Sequence, residues 1–132
     1  MIFVDANIPM YLVGGPHPHK VDARRAVERC LSERERLVTD AEVLQEILHR
    51  FVALDRRDAI QPAFDALLGL VDDVFAVTAS AVGRAKTIVL GRKRFSARDA
   101  LHLAVMEEQG VHRILSFDAG FDGFPGITRI GA

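Results

Sequence analysis

An α/β fold built on a mostly parallel central sheet of four to five strands is what this 132-residue sequence predicts. Three observations predict it. Short apolar runs alternate with longer runs of helical periodicity along the whole chain, which implies βαβ units and a sheet covered on both faces, a three-layer α/β/α sandwich. No internal repeat, low-complexity tract or long linker interrupts that alternation. Hydrophobic residues make up 49% and charged residues 27%, a globular balance with enough apolar material for one compact domain over residues 1–132.

The elements follow in order. Met1–Val4 reads as the first strand and runs straight into Asp5. Ile8–Val13 reads as a short helix, and Pro16 and Pro18 mark an irregular excursion before the helix Lys20–Arg34. Strand Arg36–Thr39 leads into helix Ala41–Leu54, whose Leu44, Ile47, Leu48 and Phe51 form an apolar stripe at helical spacing. Helix Ile60–Val71, strand Val74–Thr78 and helix Ser80–Leu90 come next. Helix Ala97–Gln109 stops at Gly110, just before strand Arg113–Phe117, and Ile127–Ile130 is a candidate edge strand.

Formal net charge is −1, so nucleic-acid contact has to rest on local patches rather than on a global basic excess. Cys30 is the only cysteine; it excludes an internal disulfide, fits a reducing cytoplasm, and reads as a small helix filler. Met1-Ile2-Phe3-Val4 meets an acid at once and is read as neither signal peptide nor membrane span.

In open α/β sheets, ligands bind beyond the carboxyl ends of the strands. Asp5 follows the first strand, and Asp118 stands just past strand Arg113–Phe117. Glu46 lies in the second turn of the helix after the second strand. Asp99 opens the helix that feeds strand Arg113–Phe117, and such a helix starts at the same edge. Each acid also has a plain structural use. Asp5 suits a helix cap, Asp99 follows Ser96 at capping-box spacing, Glu46 pairs with Arg50 at i+4, and Asp118 suits a turn closed by Gly120. Four acids gathered at one edge repel one another, and a cation relieves that repulsion. Hard oxygen ligands select Mg²⁺ or Mn²⁺. No His/Cys set with zinc spacing competes.

At these residues the sequence resembles the PIN-domain family, and within it the VapC-type toxins of toxin–antitoxin pairs. The matching pieces are Phe3-Val4-Asp5-Ala6-Asn7, Thr39-Asp40 through Val43-Leu44-Gln45-Glu46-Ile47, Ala97-Arg98-Asp99-Ala100-Leu101-His102-Leu103-Ala104, and Leu115-Ser116-Phe117-Asp118-Ala119-Gly120-Phe121. The resemblance spans essentially the whole chain. It implies a PIN-like sandwich and Mg²⁺- or Mn²⁺-dependent endoribonuclease activity, with Asp5, Glu46, Asp99 and Asp118 catalytic and Asp5, Asp99 and Asp118 on the metal. It also implies a VapB-like antitoxin, a homodimer, and no membrane association.

Glu42 competes with Glu46 one turn away, but Thr39-Asp40-Ala41-Glu42 has capping-box form, and the family spacing favours Glu46. Asn7 and Ser116 match places where small polar groups orient a carboxylate, with ordinary turn bonds as the alternative. Asp122 is an auxiliary acid or a surface turn residue.

RNA needs positive charge beside such a site. Val74–Arg98 holds no Asp or Glu, and Arg92, Lys93, Arg94 and Arg98 lead directly to Asp99, so they are read as phosphate contacts. A solvated charged face is the alternative. Phe95 reads as a core anchor more than a base-stacking ring, and His102 as a half-buried packing residue on the Asp99 face. His17-Pro18-His19 is a poor metal signal. A phosphotransfer receiver domain fails because Val74–Thr78 ends in no acid. A catalytically silent PIN-like protein-binding module stays open as the second reading.

Overall fold

The computed structural model describes residues 1–131. Five strands, β1 (Ile2–Val4), β2 (Leu37–Asp40), β3 (Asp73–Phe75), β4 (Arg113–Leu115) and β5 (Thr128–Ile130), form one sheet in the order β3-β2-β1-β4-β5. Every pairing is parallel, with Phe3 opposite both Val38 and Ile114. Ile2, Phe3 and Val4 are all buried although successive side chains point to opposite faces, so both faces of the sheet are covered. β3 and β5 are the edges and are correspondingly less buried.

Six helices cover the sheet: α1 (Asn7–Val13), α2 (Pro18–Ser32), α3 (Ala41–Ala53), α4 (Ile60–Leu70), α5 (Ala79–Gly91) and α6 (Ala97–Gln109). α1 packs on α2 and α4, while α5 packs on α6. α2 starts two residues earlier than its apolar pattern predicts, because Pro18 occupies the first turn, where its missing N–H costs nothing. Strand β3 is shorter than predicted. Thr78 is withdrawn from it to cap α5, its Oγ1 accepting the Ala81 N–H at 3.1 Å. In α3 the buried face is Val43, Ile47 and Phe51, whereas Leu48 of the predicted stripe is 42% exposed. Gly110 ends α6 in the left-handed conformation at φ 67°, as the sequence predicts.

From β1 the chain builds outward through β2 to β3, then returns to place β4 on the other side of β1. The order therefore reverses between β1 and β4, and a crevice at their carboxyl ends is where a ligand site is expected. Asp5 and Ser116 are the first residues past those two strands.

Candidate active site

Asp5 is clamped from three sides. Its N–H donates to Leu115 O at 3.1 Å, Oδ1 accepts the Ala6 N–H at 2.8 Å, and Oδ2 accepts the Ser116 hydroxyl at 2.6 Å. Asn7 Nδ2 donates to Ser116 Oγ at 3.2 Å, and Asn7 Oδ1 accepts the Phe117 N–H at 3.4 Å. Ser116 Oγ accepts a further bond from the Asp118 N–H at 3.0 Å, so one buried hydroxyl joins both strand-end acids. Burial pushes the Asp5 carboxyl above its ordinary range, with Glu46 adding to the rise while His102 and the Ser116 bond oppose it.

Asp118 is exposed on a tight turn, its Oδ1 accepting the Gly120 N–H at 2.8 Å. A Cβ on Gly120 would lie 2.9 Å from that same oxygen, so a side chain there would displace the Asp118 carboxylate. Asp99 sits in the first turn of α6, where Ser96 caps the helix by accepting the Asp99 N–H at 3.1 Å. The predicted cap and the acid are therefore both present, since capping uses the backbone and leaves the carboxylate free. Burial, and then the charges of Asp5 and Asp118, push the Asp99 pKa up to about 6, with Glu46 a smaller contributor.

Glu46 on α3 faces two cationic side chains. His102 Nε2 lies 3.5 Å from Glu46 Oε1, and Arg98 Nε lies 4.0 Å from the same oxygen. His102 is fully buried, not half-buried, and its Nδ1 meets Asp40 Oδ2 at 2.9 Å. Burial alone would lower its pKa. The bonds to Asp40 and Glu46, with the field of Asp40 and Asp5, overcome that and raise it well above the ordinary value. The ring is thus an imidazolium held between two carboxylates. Asp40 in turn caps α3 through Oδ1, which accepts the Val43 N–H at 2.9 Å.

That cap corrects the capping box expected from Thr39 and Glu42. Asp40 does the capping, and the Thr39 hydroxyl donates instead to Val4 O at 3.0 Å. Glu42 is ion-paired with Arg98, Nε to Oε1 at 3.2 Å, whereas it is Glu46 that acts on Asp5 and Asp99. Asp122 is exposed and binds Arg129 through both oxygens, at 2.8 and 3.1 Å, which holds its carboxyl below the ordinary range.

The basic run divides. Arg98 also donates to Gln45 Oε1 at 3.1 Å, so it bridges α6 to α3. Arg94 donates to Gly120 O at 3.1 Å and Asp122 O at 2.8 Å, pinning the turn that carries Asp118, and lies 4.4 Å over the Phe95 ring. Arg92 lies 5.3 Å over Phe124, and Lys93 is exposed. Phe95 is buried, an anchor as the sequence predicts.

Ligand atoms of Asp5, Glu46 and His102 fall within 4.8 Å of one another. Both nitrogens of His102 are engaged by carboxylates, so the donors that suit a metal are the acids, a hard oxygen set that fits a divalent cation. Sequence reasoning missed Asp40, Arg129 and the depth of His102. The position of His102 one turn after Asp99 was the available signal, but its partners come from β2 and α3, which only packing brings near.

The PIN-domain family pattern matches residues 2–127. The chain is 59% identical over 130 residues to ribonuclease VapC13 of Mycobacterium tuberculosis, covering 98% of this chain and 99% of that protein. Among solved structures it resembles M. tuberculosis VapC20, described as a sarcin-ricin loop cleaving toxin. The TM-score is 0.77 at 23% identity, covering 96% of this chain and 98% of that one. It also resembles VapBC2 from Rickettsia felis bound to a promoter DNA fragment, with TM-score 0.75 at 15% identity and coverage of 99% and 98%.

Proposed function

Since the chain belongs to the PIN-domain family, we propose that it is a metal-dependent endoribonuclease acting as the toxin of a toxin–antitoxin pair. The observation that carries this reading is the electrostatic coupling of Asp5, Glu46, Asp99 and Asp118 at the β1/β4 switch point, four acids from four distant segments. Asp5, Asp99 and Asp118 would hold Mg²⁺ or Mn²⁺. A bound ion of that kind lowers the pKa of a water molecule and neutralises charge on the phosphoryl group. Glu46 takes the proton of the attacking water. His102 occupies the side of Oε1 and leaves Oε2 as the accepting oxygen. Ser116 and Asn7 keep the Asp5 carboxylate in one orientation while phosphorus is attacked. Arg92 and Lys93 supply positive charge near the site, and Arg94 and Arg98 act chiefly by fixing the segments that bear Asp118 and Glu46.

A VapB-like antitoxin that covers the acids is the partner this reading implies, and relatives of this fold include a VapBC assembly. A homodimer and a cytoplasmic site of action go with it. No helix is long and apolar enough to cross a membrane among the described residues. Cleavage of an RNA panel with Mg²⁺ or Mn²⁺, against a chelator control, tests the proposal. Asp5→Asn and Asp99→Asn should each abolish cleavage, and growth arrest on expression should vanish with Asp5→Ala. Cleavage that survives both asparagine variants would sink the enzyme reading and favour a protein-binding module.

A further inference from the structure

The excursion containing His17-Pro18-His19 takes no part in the acid network, yet it folds against the rim of that network. His19 stacks on Phe117 with ring centroids 4.3 Å apart and planes 29° from parallel. Tyr11 meets His17 at 4.6 Å, His19 at 5.2 Å and Phe117 at 5.2 Å, and His17 lies 5.1 Å from His19. Four rings from α1, the α2 entry and the end of β4 thus form one cluster. Phe117 ties it to the acids, standing between Ser116 and Asp118 with its N–H on Asn7. We propose that Tyr11, His17, His19 and Phe117 form a stacking platform for one nucleobase of the RNA beside the scissile phosphate.

This proposal rests on the ribonuclease reading and deepens it. Core aromatics of this chain, such as Phe3 and Phe121, are fully buried, whereas His17 is exposed and the side chain of His19 is 41% exposed. Phe117 packs against the hydrophobic core, Tyr11 and His19 are half-buried and His17 is exposed, so the ring cluster runs from the core out to the surface beside the acids. The excursion is held in place. Lys20 Nζ donates to Gly14 O at 2.9 Å, and the His19 N–H donates to His17 Nδ1 at 3.1 Å.

The acids repel phosphate, and Arg94 and Arg98 are committed to contacts within the chain. Single-stranded RNA is bound in such settings by stacking unpaired bases on aromatic and imidazole rings, which adds affinity without charge. A platform one residue from Asp118 would seat the nucleotide adjoining the cleaved bond.

The test uses the RNA that the panel shows to be cleaved, carrying one 2-aminopurine on either side of the cleavage point. In an Asp5→Asn background, binding should quench the fluorophore on one side only. Adding His17→Ala should remove the quench and weaken binding about tenfold or more. In the otherwise native chain, His17→Ala should raise KM with kcat held, and His17→Asn, which keeps a capping oxygen for the His19 N–H but carries no ring, should do the same. An unchanged quench and KM in His17→Ala, or native quench and KM in His17→Asn, overturns the platform. A His17→Ala effect confined to an antitoxin's affinity would reassign the rings to that partner and also overturn it. A native chain that cuts no RNA in the panel defeats the ribonuclease reading instead, and so the two failures are distinct.

Discussion

Asp99 stands in the first turn of α6 with its carboxyl lifted to about 6 by burial and by Asp5 and Asp118. Because that value lies above the unfolded one, the stability this group contributes is full below about pH 4 and is lost as pH rises through about 6. Asp99→Asn should therefore stabilise the metal-free protein at pH 8 by roughly 1–2 kcal/mol, a few degrees in Tm, with the gain shrinking toward pH 4. Thermal unfolding of both forms across that range measures it, and a pH-independent difference would contradict the crowding of the acids. His102 carries the opposite burden. It is the imidazolium that keeps Asp40 and Glu46 compensated in the interior. His102→Ala should cost about 3–5 kcal/mol in chemical denaturation, because it leaves the buried Asp40 carboxylate unpaired. A loss under about 1 kcal/mol would show that no buried ion pair had been broken.

At the level of elements, the acids are held by the turns and helix ends that bear them. The turn from Asp118 to Asp122 is closed by Gly120, pinned by Arg94 on one side, and tied by Arg129, which grips Asp122 and donates to Ser116 O at 3.1 Å. Gly120→Ala would push a methyl group against Asp118 Oδ1 and displace that carboxylate. Gly120 itself is exposed, so the cost in stability should stay near 1 kcal/mol or less. Mn²⁺ affinity, read by calorimetry, should drop about tenfold, the scale on which displaced supporting groups act on a metal site. Unaltered affinity would remove Asp118 from the proposed ligand set. Across the α3–α6 seam, Arg98 and His102 both reach Glu46, and this double hold distinguishes it from Glu42, whose carboxylate is taken up by Arg98 alone.

For the whole molecule, a metal that binds the folded chain and not the unfolded one must raise its stability. Saturating Mn²⁺ or Mg²⁺ should add about 2.7 kcal/mol at a hundredfold excess over Kd, and a chelator should reverse the gain. The shift should be absent in Asp5→Asn. It should weaken as pH falls below about 6, since protons then compete for Asp99. A Tm indifferent to divalent ions at pH 8 would count against a metal site.

The fold was legible because its signals are local. Apolar runs such as Ile2-Phe3-Val4, the Ser96 cap and the Gly110 stop each act within a few residues, and all six helices and five strands lie where those signals put them. Most boundaries moved by one or two residues, and at Pro18 and Thr78 the cause is a helix start that overrides apolar pattern. The carboxylates at the strand ends were likewise readable, since a parallel sheet with right-handed crossovers brings such ends to one edge. Local signals along the chain thus suffice for the sheet, its acidic edge and the family resemblance. Tertiary structure alone decided that Asp40 rather than Thr39 caps α3, that His102 is a buried cation under Glu46, that Arg94 and Arg98 brace the site, and that His17 and His19 join Tyr11 and Phe117. The reason is that side-chain partners separated by tens of residues are chosen by packing geometry, which periodicity and capping rules do not encode.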